Sequence, residues 1–254
     1  MVGQHRWTQR RARAARVEAD TDYGQWLCEF ARAHPRWGWR KAHEVAVREG
    51  LVANPKRTQR LWRAHHLQRP PQRRHKRRRL GDGTASELRA EHRGHVWALG
   101  FQFDETAAHR RLKLLNAIDE HTREALAIKV DHRIDADTVA DVVAQIAATR
   151  GAPTHLRMDN GPELVAGALR DWRRLSGTHT AYIEPGAPWQ NGHIESFNGR
   201  LRDECLNIED FANLLEAQVV IEDRRIEYNH YRPHRPLDGL TPDAYAKQQN
   251  QQHP

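Results

Sequence analysis

Between His95 and Ile183 the chain changes its hydrophobic period in an order that few folds accommodate. Three runs, His95–Phe103, Arg111–Ile118 and Ala125–Val130, are alternating or continuously apolar and lie close together. Runs of that length and pattern read as strands, and such short connections fit antiparallel pairing. The period then switches. Over Ala136–Thr149, Val139, Val142, Val143 and Ile146 recur at helical steps, Asp135 stands at the N-cap, and Gly151 and Pro153 end the run. A short strand to Asp159, a helix over Glu163–Leu175 and a strand over Thr178–Ile183 follow. Three antiparallel strands and then alternating helix and strand predict an α/β layered fold with a mixed sheet.

The rest of the chain reads as helical. From Asn191, the residues Ile194, Phe197, Leu201 and Cys205 form an apolar stripe at three- and four-residue steps. Asn191, Glu195, Asn198 and Arg202 follow the same steps on another face. A long helix is expected near Ala212–Tyr231, and residues 247–254 read as a disordered tail.

Charge is segregated along the chain. Residues 1–80 hold 21 Lys and Arg against 6 Asp and Glu, whereas the remainder holds 20 against 27. A basic first third joined to an acidic core suggests a region that docks polyanions beside a cation site. Residues 1–34 form a basic segment with one short helix expected around Tyr23–Ala33. Residues 35–67 read as a helix-turn-helix-like DNA-binding domain. Its second helix starts with an Asn54 cap and Pro55, and offers Lys56, Arg57, Arg60 and Arg63 outward. Residues 68–94 are a linker around Arg73, Arg74, Lys76, Arg77, Arg78 and Arg79, a run that repels itself in isolation and can neutralise phosphates beside DNA. The core spans 95–246.

Two carboxylates stand in distinctive strings. Asp159 opens Asp159-Asn160-Gly161-Pro162-Glu163 after a short apolar run, at the end of a strand. Glu195 lies one turn into its helix, within Asn191-Gly192-His193-Ile194-Glu195-Ser196-Phe197-Asn198, with 35 residues between the two acids. Two acids on rigid elements suit Mg²⁺, which takes hard oxygen ligands and keeps positions open for phosphate oxygens. Two such ions about 4 Å apart can activate an attacking oxygen and stabilise a leaving one.

Together these strings resemble the integrase core of bacterial insertion-sequence transposases, and more narrowly the insertion-sequence-three family, relatives of retroviral integrases. The closing stretch Tyr228-Asn229-His230-Tyr231-Arg232-Pro233-His234 and Gly239-Leu240-Thr241-Pro242 is similar to that family's C-terminal signature. The likeness covers roughly residues 35–246. It implies an RNase H-like fold, and DDE-type DNA strand cleavage and transfer at element ends and target. It also implies Mg²⁺ or Mn²⁺, two ions in a complete site, held by Asp159 and Glu195. Arg202, seven residues after the last acid, and Asn191 are then expected to hold DNA. The same resemblance implies a homo-oligomer on DNA, a partner segment from an upstream reading frame, and a bacterial cytoplasmic location.

The family's first acid has no counterpart in register. The resemblance expects Trp-x-x-Asp-Phe in the first core strand, and this chain reads Trp97-Ala98-Leu99-Gly100-Phe101. Asp104 is the nearest acid and shares a strand face with position 100. Four strand residues span about 13 Å, so Asp104 replaces a carboxylate at 100 only through a change of register. The sequence therefore carries two readings: an active DDE transposase, or a DNA-binding remnant disarmed at Gly100. A two-carboxylate glycosidase is a third class, disfavoured by the basic strap and the lack of an aromatic sugar-binding cluster. Only Cys28 and Cys205 occur, with no Cys-x-x-Cys spacing, which argues against a disulfide scaffold and a cysteine zinc site. Pairs such as His65-His66 among the 17 histidines point different ways on a helix. No run approaches the roughly 18 apolar residues of a membrane span.

Overall fold

The computed structural model describes residues 6–51, 54–69, 88–158, 161, 167–182 and 191–252. The chain divides into two compact units, Met1–Arg79 and Leu80–Pro254.

Among its described residues the first unit holds three helices: α1 (Arg6–Ala33), α2 (Trp39–Arg48) and α3 (Pro55–Ala64). The sequence placed one short helix around Tyr23–Ala33, whereas α1 begins at Arg6. Its first turns are rich in Arg and Ala, good helix formers without an apolar stripe, so periodicity gave no signal there. Tyr23, Leu27 and Phe30 do carry a stripe, and they are buried with Trp37, Val45, Leu61 and Trp62. Asn54 caps α3 as expected, its side chain accepting from the Lys56 amide. Thr58, fully buried, joins all three helices, since its Oγ1 lies 2.8 Å from the Tyr23 hydroxyl and 3.0 Å from His43 Nδ1.

The second unit is built on β1 (Val96–Glu105), β2 (Arg111–Asp119), β3 (Ala125–Asp131), β4 (His155–Met158) and β5 (His179–Tyr182), in the spatial order β3-β2-β1-β4-β5. The first three pair antiparallel, and β4 and β5 join parallel to β1. The crossovers are α4 (Ala136–Arg150) and α5 (Gly167–Ser176), with α4 capped by Asp135. Next come α6 (Gly192–Leu201), α7 (Leu214–His230) and α8 (Pro242–Gln252). This is the RNase H-like arrangement expected from the element order. The predicted disordered tail is corrected here: α8 runs to Gln252, Ala246 is buried in it, and α8 packs against α7.

Each face of the sheet has its own core. Trp97, Leu99, Leu115, Ala117, Leu156 and Met158 face α4 and α5, while Ala98, Leu112, Leu114 and Ile118 face α6 and α7. The stripe on α6, Ile194, Phe197, Leu201 and Cys205, is buried against the second of these faces. Past Leu201 the helix loosens into a π turn over Arg202–Leu206.

The C-terminal signature clamps this helix in place. The Phe197 and Tyr228 rings meet edge-on at 4.9 Å, and Tyr228 meets His234 likewise at 4.6 Å. Arg232 grips Glu204 through Nε and Nη2 at 2.7 and 2.6 Å. Asn229 pairs with both backbone groups of Ala125, as a neighbouring strand would. A motif legible only as a family string thus has a physical role, tying the end of α7 to both α6 and β3.

Candidate active site

The polar ridge of α6 runs along β1. At one end Asn191 Nδ2 donates to the Leu99 carbonyl at 3.2 Å. Further along, Asn198 Oδ1 accepts from Asn116 Nδ2 at 2.7 Å, and its backbone carbonyl accepts from Gln102. At the far end Arg202 reaches the Phe103 carbonyl and lies 3.5 Å from Asp104 Oδ2. Glu195 sits between Asn191 and Asn198 on this ridge, exposed and without an ion pair to another described residue.

Gly100 lies under the ridge, in register with Asn116 of β2. A Cβ built there would stand 2.9 Å from Ile194 Cγ1, 3.3 Å from Ile194 Cγ2 and 3.5 Å from Asn198 Nδ2. The helix therefore approaches the sheet more closely than any side chain at 100 tolerates without movement of Ile194. Ile194 is β-branched, stiff in a helix and buried, so it does not turn aside freely. The Asn116 bond also orients the Asn198 amide, holding its oxygen toward β2 and leaving its nitrogen toward position 100.

Asp104 stands elsewhere. It meets Arg202, seven residues and about 10 Å of helix beyond Glu195. Asp104 and Glu195 therefore stand about two turns apart along the ridge. Asn191 also departs from its expected role as a DNA contact. It is 5% exposed and ties α6 to β1, which positions Glu195 instead. Asp159 follows the last residue of β4 and lies outside the described residues, as do Arg73, Arg74, Lys76, Arg77, Arg78 and Arg79.

Sequence reasoning missed a charged group on the same face of the sheet. Arg157 pairs in register with Ala98. Its Nη1 lies 3.0 Å from both oxygens of Glu120, and its Nη2 donates to the Leu88 carbonyl. Glu120 is 2% exposed and Arg157 9%. Burial pushes Glu120 up to about 7 against the pull of Arg157 and Arg123. Nearby, Arg123 donates to His193 Nδ1. Burial first, and then Arg123, Arg157 and Arg200, bring His193 down to about 4. The available signal was parity: a charged residue at the α6-facing register of a buried strand needs a partner.

In the helical unit, Arg57 Nε and Arg60 Nη2 both bind Asp20, at 2.7 and 2.5 Å, while Lys56 and Arg63 are exposed. Four expected DNA contacts thus divide into two held by a carboxylate on α1 and two in solvent. No helix among the described residues is long and apolar enough to cross a membrane.

Comparison with known proteins gives this geometry a class. An integrase core domain matches residues 90–188 and, through a second integrase core domain, residues 176–242. A 31.7 kDa protein of insertion element IS407 from Burkholderia multivorans is 40% identical over 222 residues, which cover 87% of this chain and 79% of that protein. A 39.2 kDa protein of insertion element IS476 from Xanthomonas euvesicatoria is 39% identical over 220 residues, covering 87% of this chain. The present chain spans 63% of the length of that second relative. The HTLV-2 integrase catalytic core domain, solved in complex with magnesium, aligns at 15% identity with a TM-score of 0.49, over 62% of this chain and 99% of that one. The chain belongs to the integrase-core, DDE-type family of insertion-element transposases.

Proposed function

We propose that this chain is a DNA transposase whose catalytic face is the α6 side of the sheet, with Glu195 and Asp159 as the carboxylates that hold a divalent metal. The observation that carries this reading is the ridge of α6, on which Glu195, exposed and without an ion pair among the described residues, follows Ile194, the side chain that a Cβ at position 100 would meet. Magnesium or manganese bound there supplies the activation of an attacking oxygen at a phosphodiester.

Among the described residues the donors do not complete a two-ion centre. Gly100 offers no ligand, Asp104 is engaged by Arg202, and no group of three His, Cys, Asp or Glu side chains among the described residues could hold a metal ion. The residues themselves still perform recognisable tasks. Asn191 and Asn116 fix α6 and the Asn198 amide, and Lys56 and Arg63 offer cations to a DNA backbone. Salt-dependent affinity for DNA follows from the basic first third. Cleavage and joining of element ends, assembly of several copies on DNA, and a partner segment from an upstream frame belong to the same reading.

The test is calorimetric titration with Mn²⁺ of the full chain and of its Asp159→Asn and Glu195→Gln variants. Each variant is expected to keep its circular dichroism spectrum and to bind Mn²⁺ more weakly, because each loses a hard oxygen ligand. Unchanged affinity in both would overturn the assignment.

A further inference from the structure

The turn that leaves β2 opens onto a cavity of about 540 Å³ that the proposed cleavage chemistry does not use. Its wall combines a guanidinium that makes no ion pair among the described residues with an aromatic surface. The turn is rigid, because Asp119 Oδ1 accepts from the amides of His121 and Thr122, both at 2.9 Å, and the Arg123 amide donates to the Asp119 carbonyl. Arg123 is held there at φ 64, a backbone conformation uncommon for a residue with a side chain. Its guanidinium lines the cavity, half-buried, and pairs with no carboxylate among the described residues; its side-chain hydrogen bond goes to His193.

Two more guanidinium groups line the wall: Arg89, which is exposed, and Arg157, which is already compensated by Glu120. Glu120 is the carboxylate in this lining, and both of its oxygens are turned to Arg157 at 3.0 Å. A half-buried guanidinium held by a neutral imidazole, with no carboxylate in contact, keeps room for an anion.

Elsewhere the wall carries rings and aliphatic carbon. The His121 and Tyr245 rings lie 5.9 Å apart and tilted by 42°, and Leu237 lines the same space. A volume of about 540 Å³ falls in the range of small-ligand sites, roughly 300–1,000 Å³. A lone phosphate would leave most of it to water.

We infer that this cavity binds one nucleotide unit, with its phosphate on Arg123 and its base against the Tyr245 and His121 rings. Stacking on an aromatic ring tolerates any base, because every base has a π face. The unit can be a free nucleotide or one unstacked from a DNA strand. Only the strand source rests on the transposase reading.

Calorimetry on the full-length chain tests this with the four deoxynucleoside 5′-monophosphates, the matching nucleosides and inorganic phosphate. The nucleotides are expected to bind at least tenfold more tightly than either fragment. Arg123→Gln and Tyr245→Ala should each weaken nucleotide binding at least tenfold with the melting transition retained. Should Arg123→Gln fail to fold, Tyr245→Ala, at a partly exposed position of α8, carries the test alone. Failure of the native chain to bind nucleotide, equal binding of inorganic phosphate, or unchanged affinity in the folded variants would overturn the proposal. Displacement of the nucleotide by duplex DNA assigns the site to a strand nucleotide, and persistence of binding assigns it to a free one. Glu195→Gln should leave nucleotide binding intact, so a failed metal assignment and a failed cavity assignment are told apart.

Discussion

The two faces of the central sheet are built from the same three long strands and follow opposite rules. Toward α4 and α5 the core is apolar, from Trp97 and Leu99 to Leu156 and Met158, with Thr180 Oγ1 as its one unsatisfied side-chain atom among the described strand residues. Toward α6 the sheet buries Gln102, Asn116, Glu120 and Arg157, and leaves Asn116 Oδ1 and Asn191 Oδ1 without partners among the described residues. An unpaired buried polar atom costs about 1–3 kcal/mol, so the second face is the less stable design. The first face holds the fold, and the second gives up stability for a polar surface on which phosphate chemistry can be arranged. Gly100 lies on the polar face, where an added Cβ would stand 2.9 Å from Ile194 of α6.

Substitutions can break or sharpen this contrast. Leu156→Ala on the apolar face should lose about 2–5 kcal/mol through transfer and cavity terms. Asn116→Ala on the polar face should lose less, about 1–3 kcal/mol, because it also removes an atom that was already unsatisfied. Denaturant melts of the two variants give the comparison, and a costlier Asn116 change would erase the distinction between the faces.

A smaller effect is expected at the closest approach. Gly100→Ala should destabilise by about 1–3 kcal/mol, since the new Cβ overpacks against Ile194. In an Ile194→Ala background the same change should cost far less, with a coupling of about 0.5–3 kcal/mol in a double-mutant cycle. Additive effects would mean that the helix moves away freely.

The least effect is a pH slope. His193 has a folded pKa near 4 against an ordinary 6.5, so its contribution is complete above 6.5 and is lost as pH falls toward 4. Glu120 is raised from 4.5 to about 7, so its contribution is complete below 4.5 and is lost as pH rises toward 7. Between 4.5 and 6.5 the two slopes oppose one another. Melting temperatures across that window should be flatter for the native chain than for Glu120→Gln, which should lose stability more steeply on acidification. Equal slopes would remove the charged group from the account.

Much of this architecture was legible in the sequence because apolar period is a direct record of burial. The order of strands and helices, the Asp135 and Asn54 caps and the buried stripe on α6 all follow from it. Helix α1 was not legible in its first turns, because an Arg and Ala run carries propensity without a stripe. The helical C-terminus was hidden for a similar reason, since α8 is rich in Gln and offers Ala246 as its buried contact. At the site, the strings around Asp159 and Glu195 and the glycine at 100 were readable in register. The roles of Asn191 and Asn116 were not, since a buried amide is recognised by its partner across the sheet and not by its neighbours in sequence. Arg123 and His193 are 70 residues apart, and only the folded turn brings them together.

The central claim is that position 100, not 104, is where this sheet presents its first acid, and that the glycine there leaves the centre one carboxylate short. It is tested most directly by Mn²⁺-dependent cleavage of the element's end DNA. The assay compares the native chain with Gly100→Asp, Gly100→Asp with Ile194→Ala, and Asp104→Asn, with any partner segment supplied. Loss of such a group costs roughly a thousandfold or more, on the order of 4 kcal/mol. The account predicts little or no cleavage by the native chain, a clear gain in Gly100→Asp that grows when Ile194 is trimmed, and no effect of Asp104→Asn. Robust cleavage by the native chain that Asp104→Asn abolishes would contradict it.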